Sequence, residues 1–103
     1  MEKFDFKPLY GKYTEIIAEM PMVFTAHEFI LRLAHQNQKL YIEALYAYRE
    51  VPHTDLPAPF LNVHRILTTQ LHAYPELVEQ VRKHAPSRNI FGESIACTEW
   101  KKL

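Results

Sequence analysis

The stretch from Thr25 to Glu50 constrains the fold most, because it has the pattern of one long amphipathic helix with a complete start signal. Thr25 and Glu28 have the spacing of a capping box, in which each side chain accepts a hydrogen bond from a backbone N–H of the first turn. Phe24 and Phe29 flank that box at the spacing of a hydrophobic staple. Most apolar side chains of the stretch fall within one arc of about 160° around the helix axis. The sequence therefore predicts a helix over residues 25–50 that packs against more than one neighbouring element.

Asn37 lies at the centre of that apolar arc. A buried Asn needs a hydrogen-bond partner, and three roles are open for it. It can bond a backbone carbonyl or a side chain within a monomer, it can set the register of a self-associating helix, or it can contact a ligand. The candidate residues for an interaction or self-association face recur with heptad spacing along this helix: Ile30, Leu33, Asn37, Leu40 and Ala44.

The low glycine content of the chain indicates its fold class. The 103 residues include only two glycines against seven prolines, and 48% of them are hydrophobic. Such a composition favours helices joined by proline-marked loops over a turn-rich β protein. The prediction is an all-α domain, a small orthogonal or up-down arrangement of three to four helices with an irregular C-terminal tail.

The predicted elements follow from proline positions and apolar periodicity. Pro21 ends a first short helix, and Pro75 has the position of a first helical residue. Trp100, the single tryptophan, is expected to dock the tail onto the core. One domain spans residues 1–103, with a loose segment 1–9, helices over about 13–20, 25–50, 58–73 and 75–84, and an irregular tail over 87–103.

Charge and cysteine content bound the function. Twelve Lys and Arg balance twelve Asp and Glu, so the whole chain shows no electrostatic footprint for nucleic acid or an anionic membrane. No apolar run is long enough for a transmembrane helix, and the N-terminus lacks the order of a signal peptide. Cys97 has no second cysteine to pair with, which favours a reducing compartment. The expectation is a cytoplasmic protein that does not contact the membrane.

No motif for catalysis, a cofactor or a metal stands out. His-x3-His and His-Glu-x-x-His are absent, and no P-loop or nucleophile elbow occurs. The sequence therefore predicts a non-enzymatic protein without cofactor or metal. Its predicted role is a protein–protein interaction or self-association module, most simply a homodimer formed through the long helix.

The alternative is a DNA-binding regulator of helix-turn-helix type that uses residues 60–88. Helices over 58–73 and 75–84 would form the motif, and the candidate nucleic-acid contacts are Arg65, Arg82, Lys83 and Arg88. Two acidic residues disfavour this alternative. Glu76 and Glu79 would lie in the first turns of the second helix, where a DNA reader meets bases and phosphates.

Overall fold

The described residues form a mixed α/β domain, so the all-α prediction is wrong. The structure is a computed structural model that describes residues 4–48, 59–89 and 91–103, without the side chains of residues 59 and 61. In chain order the elements are α1 (Lys7–Tyr10), α2 (Tyr13–Glu19), β1 (Val23–Thr25), α3 (Ala26–Gln36), α4 (Gln38–Ala47), α5 (Pro59–Gln70), a 3₁₀ turn (Leu71–Ala73), β2 (Val78–Ala85) and β3 (Cys97–Lys102).

The three strands form one antiparallel sheet of order β1-β3-β2. β3 is the central strand, and Trp100 pairs with Phe24 of β1 on one side and Gln80 of β2 on the other. The irregular tail predicted over 87–103 is therefore wrong from Cys97 onward. Local composition could not reveal this strand, because its partners lie far away along the chain. The predicted docking of Trp100 is confirmed, since its side chain is 2% exposed.

The helix predicted over residues 75–84 is also wrong, because residues 78–85 form β2. A turn precedes the strand, in which the backbone N–H groups of Leu77 and Val78 both donate to the carbonyl of Tyr74. As a strand, this segment satisfies its backbone groups against β3 and buries Val78 and Ala85. A single ten-residue helix with few apolar positions gains less, since short helices depend on tertiary packing.

The long helix predicted over 25–50 begins as expected but is broken at Asn37. The capping box is confirmed, with both Thr25 and Glu28 accepting from the predicted backbone N–H groups. At the break, the side-chain amide of Asn37 donates to the carbonyl of Leu33 at 3.0 Å. Its own backbone N–H bonds Ala34 instead, at 3.3 Å. The side chain thus takes the acceptor that a continuous helix needs, which is how Asn ends helices.

The remaining predictions hold in part. The helix over 13–20 is confirmed as α2, and the one over 58–73 as α5 with its 3₁₀ turn, although residue 58 lies outside the described residues. The loose segment predicted over 1–9 is wrong for its end, because α1 begins at Lys7, with Pro8 in its first turn. Residues 1–3 and the predicted helix end at 49–50 lie outside the described residues.

The core lies between one face of the sheet and the helices. Phe24 and Trp100 supply the sheet side, and Tyr13 of α2 lies at the centre of the helical side. Its ring centroid is 4.8 Å from that of Phe29, and its hydroxyl donates to the carbonyl of Leu67 in α5. These contacts fix α5 against α2 and α3, which leaves the opposite side of α5 facing outward.

Candidate functional site

The proposed interaction face of the long helix lies mostly inside the chain's own core. Ile30, Leu33 and Ala44 are at most 1% exposed, and Leu40 packs against the same core. Asn37 is half-buried and bonds a backbone carbonyl, the first of the three roles considered for it. Burial explains the apolar character of these positions without a partner, and self-association through them stays a prediction.

The four basic candidates separate into two groups. Arg65 of α5 and Lys83 of β2 line one cleft. Arg82 does not line this cleft, and its guanidinium forms a bidentate ion pair with the carboxylate of Glu99 in β3, with N–O distances of 2.9 and 3.1 Å. Arg82 pairs with Glu99 in the sheet register, which is irregular between Arg82 and Ala85, and Lys83 lines the cleft. Arg88 lies on the loop after β2 and donates to the carbonyl of Gly92.

The α5–hairpin cleft is the concave surface between α5, the first turn of α3, the end of β2 and the loop that leads into β3. Its volume is about 350 Å³. A second depression, lined by Arg88, continues along the same loop, and Ile95 and Ala96 line both. The polar residues that line the cleft include His27, His64, Arg65, Thr68, Lys83 and Asn89.

The β2–β3 hairpin that forms one wall is held by its own hydrogen bonds. The Asn89 side chain accepts from the backbone N–H groups of Phe91 and Glu93, and Gly92 adopts a φ of 79° that favours glycine. At the tip, the ring of Phe91 meets Phe60 of α5 edge-on, with ring centroids 4.7 Å apart. The hairpin is therefore in contact with the start of α5.

The loop that joins β2 to β3 is hydrogen-bonded to the start of α3 through Ser87. The Ser87 hydroxyl donates to Thr25 Oγ1 at 3.2 Å, and Ser87 Oγ lies 3.1 Å from His27 Nδ1. Thr25 is at the same time the helix cap, so the capping box and the hairpin share one side chain. This chain of bonds fixes the width of the α5–hairpin cleft at its α3 end.

Burial lowers the pKa of two histidines in the cleft. Burial, with a smaller contribution from His27, lowers the pKa of His64 to about 4. Its Nε2 hydrogen-bonds the hydroxyl of Tyr41, whose own pKa burial raises to about 12. Burial also lowers the pKa of His27. Arg65, Lys83 and Arg88 supply permanent positive charge at the cleft and its continuation.

No carboxylate offsets this charge among the described residues that line the cleft and its continuation. The acidic groups at the margins are engaged elsewhere. Glu28 completes the capping box, and Glu93 accepts from the Asn89 side chain at 2.9 Å. A concave surface with cations, hydroxyls and no carboxylate is suited to bind an anion.

A larger groove of about 650 Å³ lies on the other side of α3 and lacks this character. It contains Arg32, whose guanidinium is 3.4 Å from the carboxylate of Glu19, and Glu28. Its cation is thus paired and its lining carries both signs. Volume alone does not make it the better site for a charged ligand.

Sequence reasoning named Arg65, Lys83 and Arg88 but missed His27, Thr68 and the role of the hairpin. No local pattern groups residues of α3, α5 and the β2–β3 hairpin, because tertiary packing brings these elements together. Within the described ranges, no three His, Cys, Asp or Glu residues are placed to hold a metal ion. The helices of these ranges are too short or too polar to cross a membrane.

Comparisons of the chain with protein families, with curated proteins and with solved structures each give no match.

Proposed function

We propose that this protein binds duplex DNA through α5 and the β2–β3 hairpin. The observation that carries the proposal is the α5–hairpin cleft, which Arg65 and Lys83 line without a carboxylate beside them among the described residues, and Arg88 extends the charge along the loop. DNA presents a dense row of phosphates, and such a row is bound by side chains of this kind. The outward side of α5 supplies a helix that can enter the major groove.

The order of elements supports the same function. A helix pair (α3–α4, then α5) is followed directly by two antiparallel strands, and β1 adds to the sheet in the order β1-β3-β2. This order resembles a helix-turn-helix unit followed by a β-hairpin, and in a helix-turn-helix the second helix reads DNA. The connection over residues 48–58 is longer than the usual short turn. The resemblance is therefore to the order and pairing of elements, without the tight turn.

The two acidic residues that disfavoured DNA binding do not lie on the reading helix of the proposed arrangement. Glu76 and Glu79 were expected in the first turns of the reading helix. Glu79 instead lies in β2, opposite Lys101, and Glu76 lies in the turn before that strand. In the proposed arrangement, α5 is the reading helix, and its sequence contains no Asp or Glu.

Salt-dependent binding tests the proposal. We expect the protein to bind a fluorescent duplex of about 20 base pairs, with a log–log slope of affinity against salt of about −2 to −3, because three cations face the DNA. Lys83→Gln should weaken binding and flatten the slope by about 1. Lys39→Gln in α4 removes the same charge outside the cleft and should change neither quantity. Absence of binding at about 50 mM salt, or equal losses in both variants, would contradict the proposal.

A protein contact is the second candidate, favoured by one observation. Leu31, Ile42 and Tyr46 on α3 and α4 are 54%, 61% and 64% exposed, and the first two line a shared groove. Exposed apolar residues that are grouped in this way are typical of interaction surfaces. Sedimentation of the wild type and of Ile42→Ser tests it: a dimer that the substitution dissociates supports the candidate, and a concentrated monomer refutes it. With either function, we propose that the protein is located in the cytoplasm.

A further inference from the structure

The outward side of α5 carries one charged side chain. Val63 and Leu67 are fully buried and face the core. Arg65 projects from the opposite side, since two residues along a helix turn the direction by about 200°. Thr69 follows four residues later, on the same side as Arg65 and exposed like it. The helix therefore presents an Arg flanked by a hydroxyl at the middle of its exposed surface.

Arg65 is unengaged within the part of the chain that the structure describes. Neither of the two ion pairs found there includes it. The other basic residues of the site belong to other elements, with Lys83 on β2 and Arg88 on the loop that follows it. With α5 in a groove, its outward side meets base edges while the hairpin meets the flanking sugar-phosphate backbone.

We infer that Arg65 reads a guanine in the major groove, and that the protein prefers DNA sites containing that guanine. This inference rests on the proposed function. A guanidinium donates two parallel hydrogen bonds that match the O6 and N7 acceptors of guanine, and no other base pair presents this pair of acceptors in the major groove. Lys83 and Arg88 add affinity for any sequence, because phosphates carry no base identity.

Selection from a randomised duplex pool, followed by affinity measurements on the selected site, tests the inference. We expect an enriched site with a guanine whose replacement lowers wild-type affinity by about tenfold. Arg65→Ala removes the paired donors, so it should abolish that discrimination and retain binding to unselected DNA. Arg65→Lys should keep part of the discrimination, because an ammonium also donates to O6 and N7. Lys83→Gln, the matched control, should weaken binding to selected and unselected duplexes by the same factor. Circular dichroism verifies that each variant is folded.

The outcomes separate the two claims. Binding without base preference overturns the inference about Arg65 and leaves DNA binding standing. Guanine discrimination that survives Arg65→Ala has the same consequence. A wild-type protein that retains no duplex from the pool at low salt overturns the proposed function, and the inference with it. Loss of discrimination in Arg65→Ala, with Lys83→Gln still discriminating, supports the inference.

Discussion

His64 couples the stability of the fold to pH. Burial lowers its pKa from 6.5 to about 4, so the unfolded chain binds a proton between these values and the folded chain does not. Stability is therefore unaffected above the unfolded pKa and falls as pH drops below it. We expect a loss of about 2 kcal/mol in the free energy of unfolding between about pH 7 and about pH 5.

Urea denaturation at several pH values measures this loss. His64→Gln should remove most of the slope, because the glutamine amide does not titrate in this range. His35→Gln is the matched control, since His35 is exposed and should leave the slope as in the wild type. A wild-type free energy that stays constant over the interval would show that His64 is not desolvated as described.

At the scale of elements, the start of α3 is the place where one side chain stabilises two features. Thr25 caps the helix and accepts a hydrogen bond from Ser87 of the hairpin. Thr25→Ala should therefore lower the free energy of unfolding by about 1 to 2 kcal/mol, the effect of a lost cap plus one further hydrogen bond. Thr14→Ala, an exposed substitution inside α2, should change it by less than about 0.5 kcal/mol. Equal effects of the two substitutions in thermal unfolding would contradict the shared role of Thr25.

The elements also show what could be predicted from the sequence. The capping box and the helix after it depend on neighbouring residues, so the pattern of Thr25 and Glu28 was sufficient. The break at Asn37 was missed, because the apolar arc continues through it while the amide competes for the carbonyl of Leu33. β2 and β3 were missed because their pairing is non-local. Their side chains were interpreted as a helix with complementary end charges and as an irregular tail.

How much of the candidate site could be predicted from the sequence depended likewise on whether a residue's position follows from its neighbours or from long-range contacts. Arg65 lies on a helix that apolar periodicity predicts, so its outward position was accessible from sequence. Lys83 was named as part of a helix end together with Arg82, but Arg82 pairs with Glu99 across the sheet and Lys83 lines the cleft. The contact of Phe91 with Phe60 joins the hairpin to α5, and only the sheet topology explains why these rings meet.

For the whole molecule, charge distribution matters more than net charge. Twelve basic and twelve acidic residues cancel over the chain, yet the described lining of the α5–hairpin cleft includes basic residues and no acidic residue. Balanced totals therefore do not exclude an anionic partner. The salt dependence of binding should stay modest, because only three cations among the described residues face the DNA.

Mapping the surface that DNA contacts tests the central claim most directly. Amide chemical shifts of the isotopically labelled protein would be followed during titration with a short duplex at low salt. We expect the largest shifts in α5, at Lys83 and along residues 86–98 of the hairpin, with little change around Leu31 and Ile42. Shifts confined to the α3–α4 surface, or no shifts at any DNA concentration, would contradict DNA binding through α5 and the hairpin.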